Sequence, residues 1–213
     1  MVVRTGRMFT AFAGCLLFAS IAQAQVFVSN DSILLPAGAP GSTFGPASIY
    51  PLSITVSGLS GTIADLNVSV FDVTHTFSDD IDILLVGPNG ANVMLMAGAG
   101  GSSVLSNFDF TFDDQALQMM PNTSPPLTAG TYLPSNYEPL QGMPLPAPAG
   151  PYGSSLSVFN GINPNGEWNL YVADDGSGDS GRMEGWSLEF TVVPAPSALG
   201  LLCAGVFHRR RRR

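Results

Sequence analysis

Three groups of carboxylates carry most of the chemistry this chain has to offer. Asp79, Asp80 and Asp82 stand at the entrance to an apolar run, Asp113 and Asp114 follow another, and Asp174, Asp175 and Asp179 lie in the Gly-Ser loop DDGSGDSG. Calcium takes roughly six to eight hard oxygens, commonly carboxylates and backbone carbonyls of a flexible loop. The Gly-Ser loop offers both, without the ligand spacing or closing glutamate of an EF-hand. The chain has no lysine to pair with these acids, so they repel one another, and a divalent ion relieves that repulsion. Two readings stand: Ca2+ as cofactor at one or more clusters, or solvated acidic loops that keep the protein soluble.

Catalytic chemistry finds less support. Gly178-Asp179-Ser180-Gly181 has the local form of a serine-protease nucleophile turn, but Arg182 follows it. A nucleophilic serine also needs a base within hydrogen-bond reach and an oxyanion hole. The segment reads as a turn before the last strand, and no catalytic residue is assigned. His75, the one histidine outside the C-terminal tail, reads as a structural residue at a strand end, with a metal-ligand or pH-sensing role as the alternative. Trp168 and Trp186 alternate with core positions and read as packing residues, against a sugar-stacking platform. Arg182 stands alone among Asp174, Asp175, Asp179 and Glu184, where it pairs locally.

The elements that position these groups are strands. Leu66, Val68 and Val70 share one face, as do Trp168, Leu170 and Val172, and Trp186, Leu188 and Phe190; period two is the strand signal. Ile81 to Val86 is almost continuously apolar, as a central strand buried on both faces is. Further strands are expected at Ser53 to Ser57, Asn92 to Met96, Phe108 to Phe112 and Ser155 to Phe159. Gly87-Pro88-Asn89-Gly90 and Asn163-Pro164-Asn165-Gly166 are turn sequences. About eight short antiparallel strands with this spacing predict an all-β jelly-roll-like sandwich. Ala116 to Ser154, rich in Pro, Gly and Met, reads as a long surface excursion. It is either a tolerated insertion or a binding loop presenting Tyr132, Tyr137 and Tyr152.

Charge divides the chain into three. Arg4 and Arg7 precede the apolar run Phe9 to Ile21, and Ala22-Gln23-Ala24 completes the pattern of a secretory signal over residues 1–24. Cleavage is expected between Ala24 and Gln25. The body, 25–192, holds all sixteen acidic residues against Arg182, about −15 in formal charge. Such a body excludes nucleic acid as a partner. Both cysteines, Cys15 and Cys203, fall outside it, so the body has neither disulfides nor a thiolate site. Residues 193–213 carry Pro194 and Pro196, an apolar stretch shorter than a membrane span, and a terminal block that includes Arg209, Arg210 and Arg211.

Val193-Pro194-Ala195-Pro196-Ser197, the apolar run and the arginines together resemble a PEP-CTERM sorting signal, with Ala195 where that family carries glutamate. The resemblance implies the export machinery and an exosortase-like enzyme as partners. It also implies a protein anchored transiently at the inner membrane, then secreted or placed on the cell surface.

In the body, His75-Thr76-Phe77 with Asp80, Leu85, Pro88 and Gly90 forms one signature. Phe159, Gly161, Gly166, Trp168, Leu170, Asp174, Gly181 and Trp186 form a second. In this order they resemble the P domain (P/Homo B) that follows the catalytic domain of subtilisin-like proprotein convertases, over residues 49–192. The resemblance implies a jelly-roll-like sandwich, galactose-binding-like in fold, that is associated with serine endopeptidases without being one. Three functions follow as expectations. The first is an exported, calcium-stabilised, non-catalytic surface protein. The second is an accessory domain acting with a separate subtilisin-like peptidase, and the third is a lectin-like module for envelope polysaccharide.

Overall fold

Leu66, Val68 and Val70 do lie on one buried face, that of the longest strand in a computed structural model that describes residues 23–37 and 44–194. The residues expected to form the export signal (1–22) and most of the sorting tail (195–213) lie outside the described residues. Ala24 and Gln25, which flank the expected cleavage point, both sit within the first strand, and Pro194 follows the last. Pro196, Arg209, Arg210 and Arg211 are also outside the described residues.

The described residues contain thirteen strands and no α-helix. They are β1 (Gln23–Ser29), β2 (Ile33–Leu35), β3 (Gly45–Pro46), β4 (Leu52–Val56), β5 (Thr62–His75), β6 (Ile81–Val86) and β7 (Asn92–Ala97). They continue with β8 (Leu105–Phe112), β9 (Gly130–Tyr132), β10 (Ser135–Asn136), β11 (Gly166–Asp174), β12 (Gly181–Met183) and β13 (Gly185–Val193). One sheet is centred on β5, flanked by β13 and β12 on one side and β8 on the other, with β1, β2 and β9 outermost. The other runs β10-β7-β6-β11, with β3 and β4 end to end along the free side of β11.

The two sheets form an all-β sandwich, as the alternation predicts. Its core joins Val68, Val70, Phe110, Phe112, Trp186, Leu188 and Phe190 from one sheet to Ile83, Leu85, Val93, Trp168, Leu170 and Val172 from the other. Trp168 and Trp186 are fully buried. Trp168 stacks edge-on to Phe159 and donates its indole N–H to the Pro164 carbonyl at 2.8 Å.

The almost continuously apolar β6 is buried on both faces, and the second face explains the excursion. Leu84 and Met94, on the outer side, pack with Tyr171, Ala173, Met143 and Ala147. Residues 137–153 therefore roof the second sheet. The tyrosines of the excursion are turned to its own packing: Tyr132 is buried and donates to Thr128 O, and the half-buried Tyr137 and Tyr152 donate to Met120 O and Pro148 O. Among the described residues the excursion also supplies the two parallel strand pairings, β9 with β8 and β10 with β7, in sheets expected to be antiparallel.

One expected strand is absent. Leu156–Phe159 forms a 3-10 turn, because the Asp114 carboxylate accepts from Leu156 N, Ser157 N and Ser155 Oγ. Carboxylate capture of successive amides fixes a helical start, not a ladder.

Candidate metal centre

Period-two geometry decides where each acid of β6 and β11 points. Ile81, Ile83 and Leu85 face the core, so Asp82 faces the roof, opposite Ala173 on β11. Val172 faces the core and so does Asp174, whose strand partner is Ile81. The sequential acids Asp174 and Asp175 therefore serve different places.

Asp174 reaches inward to His75 at the end of β5, in the opposite sheet. Its Oδ2 lies 3.1 Å from His75 Nε2, and both side chains are fully buried. The other ring nitrogen, Nδ1, lies 2.7 Å from the Phe77 carbonyl and 3.2 Å from the Phe77 N–H, which donates to it. The Nε2–Oδ2 contact is a hydrogen bond across the core. Burial raises the Asp174 carboxyl, and the hydrogen bond and charge of His75 act against that rise. With both ring nitrogens occupied, His75 is no base for Ser180, whose amide instead donates to Thr76 Oγ1.

Asp82 is the more unusual group. It is 2% exposed, and its Oδ2 accepts from Gln141 Nε2 at 3.1 Å. Its buried Oδ1 has no hydrogen-bond partner. A buried carboxylate oxygen left unpaired costs several kcal/mol if charged (order of magnitude). Burial pushes the Asp82 carboxyl up to about 8, with Asp175 and Glu138 adding to the rise.

Asp82, Glu138 and Asp175 each offer an oxygen, and these lie within 4.8 Å of one another. Two oxygens about 2.4 Å from one Ca2+ ion stand at most ~4.8 Å apart, so the three fit around a single ion. Gln141 bridges Asp82 and Asp175. Glu138 is raised by burial and by Asp175, and its Oε2 is a second buried oxygen without a partner. Hard oxygens, excess negative charge and orphaned acceptors suit a hard divalent cation.

The remaining acids divide around this centre. Asp80 stands beside it, raised to about 7 by burial and then by Asp175, Asp174 and Asp179. Asp179 accepts from Thr76 Oγ1 at 2.9 Å, and Asp79 adds its charge near Glu138. Asp113 and Asp114 are not brought to the centre. Asp113 accepts from Gln115 N, and Asp114 spends both oxygens on the 3-10 turn.

Glu138 is the residue sequence reasoning missed. Its signal was isolation: it is the sole charged residue between Asp114 and Glu167.

Neither a protein-family model nor a curated protein matches the sequence. Among solved structures, the chain is similar to the crystal structure of the serine protease of Aeromonas sobria. Identity is 15% over 85% of this chain and 28% of that one, with a TM-score of 0.40. It is also similar to the crystal structure of the Aeromonas sobria serine protease and chaperone complex, at 12% identity over 80% of this chain and 28% of that one, TM-score 0.34. The chain thus spans under a third of the length of the structures it matches.

Proposed function

We propose that this chain is an exported, non-catalytic β-sandwich module that carries one structural calcium ion between Asp82, Glu138 and Asp175 and works at the cell surface. One observation carries the calcium reading: a buried aspartate with an unpartnered Oδ1, grouped with two further carboxylates. The arginine-flanked apolar ends support export and sorting, with the secretion machinery and an exosortase-like enzyme as transient partners.

Calcium that binds only the folded state at a hundred times its Kd adds ~2.7 kcal/mol, about 5–10 °C in Tm for a domain of this size. Thermal melts in excess calcium and in chelator, at constant ionic strength, measure this. An unchanged curve rejects the reading. Asp82→Asn abolishes the shift, whereas Asp114→Ala, which removes a cap, keeps it.

The two P-domain-like signatures favour a second reading of the module's partner, a separate subtilisin-like peptidase. Co-purification from envelope extracts tests it, and recovery of no peptidase counts against it.

A further inference from the structure

A cavity of about 480 Å³ opens beside the centre, lined by Phe44, Pro46 and Pro144 and by Asp82, Gln141 and Asp175. That volume is within the ~300–1,000 Å³ typical of small-molecule sites, which combine apolar walls with a few convergent polar groups. Asp82 and Asp175 belong to both the cavity and the carboxylate trio, whereas Glu138 is on the trio alone. An ion held by the trio therefore has its uncovered side toward the cavity. Three side chains leave a calcium shell of roughly six to eight oxygens incomplete.

We propose that this cavity binds a neutral saccharide, two adjacent hydroxyls of which complete the coordination of the calcium ion. The inference rests on the calcium reading above and adds to it a ligand and a direction of approach.

Charge selects the ligand class. The ion offsets two of the three carboxylate charges of Asp82, Glu138 and Asp175, and Asp80 and Asp179 stand nearby. A residual negative field repels carboxylates and phosphates. A vicinal diol brings paired oxygens to the metal without added charge. Its hydroxyls find an acceptor in Asp175, which lines the cavity beside Gln141. Phe44, 67% exposed at the rim, offers a flat apolar surface of the kind that packs against the C–H face of a sugar ring.

The test uses the full chain and isothermal titration, with nuclear magnetic resonance for weak binding. Methyl α-mannoside and methyl β-galactoside are added in calcium and in chelator. Glucuronate and tetrahydropyran-2-methanol, a ring without the diol, serve as comparison ligands. Calcium binding is measured separately without sugar. The expected result is millimolar binding of at least one neutral glycoside in calcium only, with at least tenfold weaker binding of both comparison ligands. Phe44→Ala weakens the glycoside several-fold and leaves calcium affinity unchanged.

Calcium binding without glycoside binding overturns this inference and leaves the calcium reading standing. Glycoside binding that survives chelation overturns the metal bridge. Failure to bind calcium at all removes both.

Discussion

The Asp82 carboxyl is held above its ordinary range by burial and by two neighbouring acids, and Asp80 is raised by burial and three. In the unfolded chain both groups lose their protons near pH 4. Folded, they keep them to about pH 8 and about pH 7. Between these limits the folded state binds more protons than the unfolded one, so metal-free stability falls as pH rises. Calcium requires the ionised carboxylates, and its apparent affinity climbs through the same window. The Tm in chelator is therefore expected to drop from about pH 5 to about pH 8.5, and saturating calcium to flatten or reverse that slope. A chelated Tm that rises across the window contradicts the burial argument for Asp82. Part of this was legible beforehand: the acids stood out as groups, though not that Asp80 of one group would lie beside Asp174, Asp175 and Asp179 of another. The division of labour was not, because only strand register shows that Asp174 turns inward to His75 while Asp175 turns to the roof.

At the scale of elements, the centre joins two parts of the molecule that are distant in sequence. Asp82 and Asp175 belong to the β6–β11 pair, and Glu138 and Gln141 to the roof. An ion there would fasten the roof to the second sheet, beyond what Met143, Ala147 and the Tyr50 hydroxyl, which donates to the Pro144 carbonyl, achieve. Gly98, just after β7, permits this: it has φ +60°, and a Cβ there stands 2.8 Å from Glu138 Cγ. Gly98→Ala is expected to displace Glu138, lower calcium affinity at least tenfold, and cost about 1 kcal/mol from the left-handed backbone alone. In the unsubstituted protein, calcium is expected to slow proteolysis within 116–154, followed by mass spectrometry. In Gly98→Ala that protection disappears at the same calcium concentration, and protection that persists detaches Glu138 from the site. The roof reads as a loop in sequence because Pro-rich coil has no period. The double burial of β6 was nevertheless visible in its run of apolar residues, broken only by Asp82, which required some cover on that face. The 3-10 turn at Leu156–Phe159 was hidden for the complementary reason, since its cap comes from Asp114, some forty residues away.

For the molecule as a whole, the His75–Asp174 contact ties one sheet to the other at the end of the sandwich where the acids gather. Apolar packing holds most of the interface and is tolerant of sliding, with hydrogen bonds such as Ser48 N–H to Leu34 O at one edge; a buried hydrogen-bonded pair has one geometry. Such pairs contribute little over an apolar replacement, but removing a single partner leaves a buried charge and costs about 3–5 kcal/mol. His75→Ala therefore destabilises by about that amount, read from denaturant midpoints at constant m. The double replacement His75→Leu with Asp174→Leu recovers a large share of the loss, because no buried charge remains unpaired. Calcium sharpens the comparison. Asp174 is outside the trio, so the double variant keeps its calcium-dependent rise in Tm while losing the sheet-to-sheet tie. A double variant that lost the calcium response as well would merge the two sites into one network, with Asp174 acting on the ion through its neighbour Asp175. If His75→Ala costs less than about 1 kcal/mol, the sandwich is held by its apolar core alone, and the buried pair does not fasten the sheets.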